Sequence, residues 1–287
     1  MAVPRTEPWA VAIHDQNVIR AQQDQSPVIF LGDSITYHWG DKDRTDTGSV
    51  VWNAQIAPFH AEDFGIVSDV TQNVLWQIEN GELDGHPKVV VLLIGTNNLG
   101  GIYQTPQETA SGVAAIVQEI RTISPTTKVL LMGLFPRGAL PSDPLRAEVS
   151  QTNALIANLA DGQDVRFLDL GSQLVQVDGT ILQTVMVDFL HLNIAGYQIW
   201  ANAIAVPLQQ MLGLPSIPTA ATTGATSATD ATQSLLSTSG DPSLLVPLPL
   251  DLTSTSSASS APTSSASTSS HSTHPKIDLV GGDPSAP

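Results

Sequence analysis

Residues 28–36 read Val28-Ile29-Phe30-Leu31-Gly32-Asp33-Ser34-Ile35-Thr36: four large apolar residues, a glycine, then a polar cluster. An unbroken apolar run of this length suits a strand covered on both faces, as in a parallel sheet. The Gly-Asp-Ser that follows fits a strand-to-helix turn, with Asp33 or Ser34 placed to cap the next helix. Similar runs recur at 89–94, 129–134 and 165–170.

Between these runs the spacing is helical. Thr105-Pro106-Gln107-Glu108 has the form of a capping box with proline at the first helical position. Val113, Ile116, Val117 and Ile120 then make one apolar stripe, and Ser124-Pro125 ends it. A shorter helix is expected over 69–79, with Val74, Leu75 and Ile78 inward. Another is expected over 144–160, with Leu155, Ile156 and Leu159 inward. A last one starts near Asn193 and carries Ile194, Tyr197, Trp200, Ile204 and Leu208. Strands alternating with helices predict a doubly wound α/β sandwich. Such folds place their sites beyond the carboxyl ends of the strands. Ser34 and Asn97 both fall there.

All five Trp, three Tyr and six Phe of the 287 residues lie before residue 214, and 41% of residues are hydrophobic, ample for one core. The expected organisation is therefore a folded domain over 1–214 and a disordered Ser/Thr/Pro/Ala-rich tail over 215–287. Within that tail, 244–250 reads as an extended, proline-stiffened spacer. His271 and His274 stand in it without a fixed frame. The net charge of −16 repels phosphate backbones and anionic lipid, so no nucleic-acid partner and no stable membrane insertion are expected. The longest strongly apolar run, 89–94, is far too short to span a bilayer. No signal-peptide-length stretch precedes Ser26, so a cytoplasmic location is the default expectation, with export left open.

With no cysteine, a thiol nucleophile, a disulfide and a thiolate zinc site are all excluded. Seven scattered histidines form no HExxH or HxH pair, so no metal is expected. What remains is Ser34 early in the chain and Asp188, three residues before His191, late in it. A serine hydroxyl becomes a nucleophile when a histidine takes its proton and a carboxylate holds that histidine in the right tautomer. Asn97, in Gly95-Thr96-Asn97-Asn98, could aim an amide at a developing oxyanion beside the Ser34 N–H. The Gly-x-Ser-x-Gly elbow of α/β-hydrolases is missing, because Thr36 stands at its second glycine.

Taken together, GDSIT at 32–36, FGIVSDVTQNVLWQIENGEL at 64–83, GTNN at 95–98 and DFLHL at 188–192 resemble, in block order, the SGNH (GDSL-type) hydrolases. Within that family the chain bears a closer likeness to platelet-activating-factor acetylhydrolase catalytic subunits and their bacterial relatives, reinforced by GLFPRG at 133–138 and PLR at 144–146. It spans roughly residues 10–212. The resemblance implies a flavodoxin-like three-layer α/β/α sandwich and an acyl-ester hydrolase that needs no cofactor. Carried over by motif, Ser34 is the nucleophile, Asp188 the orienting acid and His191 the general base. The oxyanion hole would comprise the Ser34 N–H, the Asn97 amide and the N–H of Ser68. At Val67-Ser68 this chain departs from the family, which usually shows two glycines. A backbone N–H survives the change, but a turn requiring positive φ would strain a serine.

The leading expectation is a carboxylic ester hydrolase acting on short acyl, chiefly acetyl, esters of carbohydrates, lipids or small alcohols. A homodimer is compatible with the resemblance. The rival is a non-catalytic binding or display module on the same scaffold, with a metal-dependent phosphoesterase as the third reading.

Overall fold

Each apolar run becomes a strand sandwiched between helices. The computed structural model describes residues 1–40 and 48–215. Its strands are β1 (Val28–Gly32), β2 (Ala61–Asp63), β3 (Val89–Leu93), β4 (Lys128–Met132) and β5 (Val165–Leu168). Among the described residues they form one parallel sheet in the order β2-β1-β3-β4-β5. This is the flavodoxin-like order, and the direction of strand addition reverses between β1 and β3. There Gly32 lies opposite Leu93 in register.

The helices are α1 (Pro8–Asp24), α2 (Ser34–Tyr37), α3 (Ser49–Val51), α4 (Thr71–Gln77), α5 (Thr96–Gly100), α6 (Pro106–Ile123), α7 (Pro144–Ile156) and α8 (Ile194–Leu212). Side chains alternate across the sheet. Val28, Phe30, Val91 and Met132 pack with Trp200, Ile204 and Leu208 of α8 and with Trp39. Ile29, Leu31, Val90, Leu92 and Leu131 pack with Val74 of α4 and Val113, Ile116 and Ile120 of α6. Because both faces are dry, no polar residue interrupts the central strands. The result is the three-layer sandwich.

The capping box at α6 is complete: Glu108 N donates to Thr105 Oγ1, and Thr105 N donates back to Glu108. Elsewhere the elements differ from expectation in detail. The 69–79 helix narrows to α4, followed by a π-helical turn over Ile78–Glu82. Ile156 is buried as expected, but Leu155 points to solvent. Ile194 is likewise exposed at the start of α8, while Tyr197, Trp200, Ile204 and Leu208 are buried. The tail expected from residue 215 onward, with its 244–250 segment and two histidines, lies outside the described residues apart from residue 215 itself.

Candidate active site

The turn after β1 is built by close backbone contacts. Asp33 caps α2, its Oδ1 accepting from the Ile35 N–H at 3.0 Å. A Cβ on Gly32 would lie 2.4 Å from the Leu93 carbonyl oxygen, so only glycine lets β1 turn there against β3. Ser34 therefore emerges in the crevice between β1 and β3. Tyr197 Oη of α8 donates to the Ile35 carbonyl at 2.7 Å and locks α2 to the core.

The second element is a turn just before α8. Asp188 Oδ1 accepts from the N–H groups of Leu190 (3.1 Å) and His191 (2.7 Å). Its other oxygen faces His191 Nδ1 at 2.7 Å. Phe189 between them is left-handed (φ 63°) and its carbonyl accepts from Gly138 N. His191 Nε2 then lies 2.9 Å from Ser34 Oγ. A ring nitrogen facing a carboxylate carries the proton, which leaves Nε2 to accept from the serine hydroxyl. Hydroxyl, imidazole and carboxylate thus stand in series, from positions 34, 191 and 188.

Burial pushes the Asp188 carboxyl up, but bonds from the His191 ring and backbone outweigh it and hold it below the ordinary range. Asp33 behaves in the opposite way. Burial raises it to about 6 despite the Ile35 N–H and the charges of His191 and Arg137. The His38 ring packs edge-on against His191, with centroids 5.5 Å apart.

Asn97 meets the turn that holds Ser68. The segment Ile66-Val67-Ser68-Asp69 is a turn closed by Asp69 N donating to Ile66 O at 3.2 Å, and Ser68 is left-handed within it (φ 66°). Ile66 N donates to Gly32 O at 3.1 Å, so this turn is laced to the end of β1. The Asn97 Nδ2 donates to the Asp69 carbonyl at 3.0 Å, bringing that amide to the same turn. Of the five residues picked from the sequence, Ser34, His191 and Asp188 are thus hydrogen-bonded in series, and Asn97 is bonded to the turn that holds Ser68. The adjacent Asn98 is fully buried and bonds Thr71, Gln72 and Gln104 instead.

Reasoning from sequence missed the left-handed Phe189, the His38 ring and the Arg137 guanidinium, which donates to Thr96 O and Oγ1 at 3.0 Å. Arg137 sits in the GLFPRG block, which flags it without giving it a task. Phe189 and His38 carry no local signal, because their positions depend on contacts across the fold.

The sequence profile of the GDSL-like lipase/acylhydrolase family matches residues 30–199. The chain belongs to this family. As a GDSL-like acylhydrolase it is 38% identical over 189 residues to human platelet-activating factor acetylhydrolase IB subunit alpha1, a match covering 65% of this chain and 77% of that one. It is 36% identical over 201 residues to the rat alpha2 subunit, covering 69% and 81%. Among solved structures it resembles a GDSL-like lipase from Bacteroides thetaiotaomicron with TM-score 0.56 and 19% identity, covering 70% of this chain and 97% of that one. A mutant acetyl-xylooligosaccharide esterase from Geobacillus gives TM-score 0.51 and 18% identity, covering 66% and 96%. The structural likenesses establish the sandwich. Membership of the family makes this acylhydrolase an esterase.

Proposed function

We propose that this acylhydrolase cleaves short-chain esters, acetyl esters foremost, by acyl transfer through Ser34. The hydrogen-bonded series Ser34–His191–Asp188 carries the reading. Ser34 Oγ attacks the ester carbonyl while His191 Nε2 takes its proton. The imidazolium, held by Asp188, returns that proton to the departing alcohol as the C–O bond breaks. Water then adds to the acyl-enzyme, with His191 again taking a proton and finally restoring it to Ser34. The oxyanion rests on the N–H groups of Ser34 and Ser68 and on the Asn97 amide, each donor contributing roughly 3–4 kcal/mol in the transition state.

The acetyl preference is supported by the similar proteins, an acetylhydrolase and an acetyl-xylooligosaccharide esterase. Val67 stands beside the oxyanion turn where a glycine would leave more room, which also favours a small acyl group. The test is hydrolysis of p-nitrophenyl acetate, butyrate and octanoate. The acetate is expected to give the highest kcat/KM, and Ser34→Ala to lower it by at least about 10⁴-fold. A Ser34→Ala variant that keeps wild-type rates removes the serine mechanism, and an octanoate preference removes the acetyl assignment.

A further inference from the structure

Ser68 is not glycine, yet it holds a left-handed conformation in a turn that the proposed mechanism uses. An ordinary side chain there costs about 1–2 kcal/mol, so something must over-determine the turn. The residues that bracket Ser68 show what does. Arg5 Nη1 donates to the Val67 carbonyl at 3.0 Å and to Asp69 Oδ1 at 2.8 Å. Gln77 donates to the other Asp69 oxygen at 2.6 Å. The Asp69 side chain is wholly buried and that of Arg5 is 12% exposed.

Arg5 is itself fixed. Its Nε and Nη2 make a two-pronged contact with Glu7, both at 3.0 Å, and the guanidinium lies over the Trp9 ring. The strap before α1 is pinned further along, with Val3 N donating to Gln72 O and Asn73 donating to Val3 O. One face of the guanidinium fork is held by Glu7 while Nη1 reaches both sides of Ser68. A lysine, with one ammonium on a flexible stem, cannot reproduce that geometry.

We propose that Arg5 is a positioning residue for the oxyanion hole: it clamps Val67 and Asp69, holding the Ser68 N–H inward and the Asp69 carbonyl under the Asn97 amide. Both outlying donors of the hole thus depend on a residue 29 positions before Ser34 in the chain. The inference rests on the esterase mechanism proposed above, since it assigns Arg5 to that mechanism's oxyanion hole.

The test compares kcat and KM for p-nitrophenyl acetate in wild type, Arg5→Ala, Arg5→Lys, Ser68→Gly and the double variant Arg5→Ala/Ser68→Gly. Arg5→Ala is expected to lower kcat roughly 10- to 100-fold with KM within about twofold, because misplaced donors weaken transition-state rather than substrate binding. Arg5→Lys is expected to fall between. Glycine adopts the left-handed turn without being held, so the same removal is expected to cost less in the Ser68→Gly background. A wild-type kcat in Arg5→Ala, a defect confined to KM, or an equal loss in both backgrounds overturns the proposal. Should Arg5→Ala fail to fold, the kcat of Arg5→Lys against wild type decides it by the same criterion. Should wild type itself hydrolyse no ester, the mechanism fails separately, and amide exchange still reads the clamp. Faster exchange at 66–70 in Arg5→Lys than in wild type, with α6 unchanged, supports it; unchanged exchange there rejects it.

Discussion

Asn97 and Asn98 share a side chain and differ in surroundings. Asn98 is sealed against α4 with every amide proton used, whereas Asn97 is partly exposed and spends one proton on the Asp69 carbonyl. A second proton on Nδ2 stays available to an oxyanion. Asn97→Ala is therefore expected to lower kcat roughly 10²–10³-fold while the thermal midpoint changes little. An unchanged kcat takes Asn97 out of the hole. The sequence offers both asparagines side by side, and the block order of the family singles out the first. Nothing local marks the left-handed Phe189, whose conformation exists because Gly138 holds its carbonyl from another loop.

The proposed nucleophile, Ser34, sits on α2, a single turn that cannot be stable alone because nucleating a helix costs more than one bond returns. It is held from outside, by the Asp33 cap, the Tyr197 hydroxyl and the backbone at Gly65. A Cβ on Gly65 would lie 2.4 Å from Tyr37 N and 2.9 Å from the Asp33 carbonyl oxygen. Gly65→Ala should thus displace α2, destabilising the protein by about 1–3 kcal/mol and lowering kcat as well. A kcat equal to wild type would show that α2 absorbs the shift. As a contrast, Thr105→Ala breaks the α6 capping box far from the chemistry. It should cost about 1 kcal/mol in chemical denaturation with kcat and KM unchanged. The stripe and box of α6 are legible because its buried face is apolar. α1 is not, since its buried face runs Ala10, His14, Asn17, Ala21, with His14 and Asn17 bonded to buried Glu82. β2 is only Ala61–Asp63 at the sheet edge, too short and too polar to announce itself.

At the scale of the whole molecule, the buried carboxylates set the expected pH dependence of stability. Burial raises Asp33 to about 6 and Asp69 to about 7, and it raises Glu82 as well. These groups bind protons more tightly in the folded than in the unfolded chain between about pH 4 and 7, so stability falls as pH rises through that window. Below it the sign reverses. Hydrogen bonding to Arg5 lowers Glu7 to about 2, and the partners of Asp188 hold that group down, so their contributions fade on acidification. The net charge of −16 adds self-repulsion toward higher pH. The thermal midpoint is expected to peak near pH 4–5 and decline toward 7.5, as calorimetry at fixed ionic strength will show. A midpoint that climbs steadily from 4.5 to 7.5 contradicts this balance.

From its residues alone this chain determined four of its strands, the α6 cap and the residue types its chemistry requires. Those features are local: burial on two faces dictates an apolar run, and an orphan N–H dictates its cap. Only the tertiary structure decided which polar groups meet. It is the reversal of strand order between β1 and β3 that opens the crevice for Ser34. Contacts from the strap, from Gly138 and from α8 set the backbone around it, and such long-range constraints leave no periodic trace in sequence.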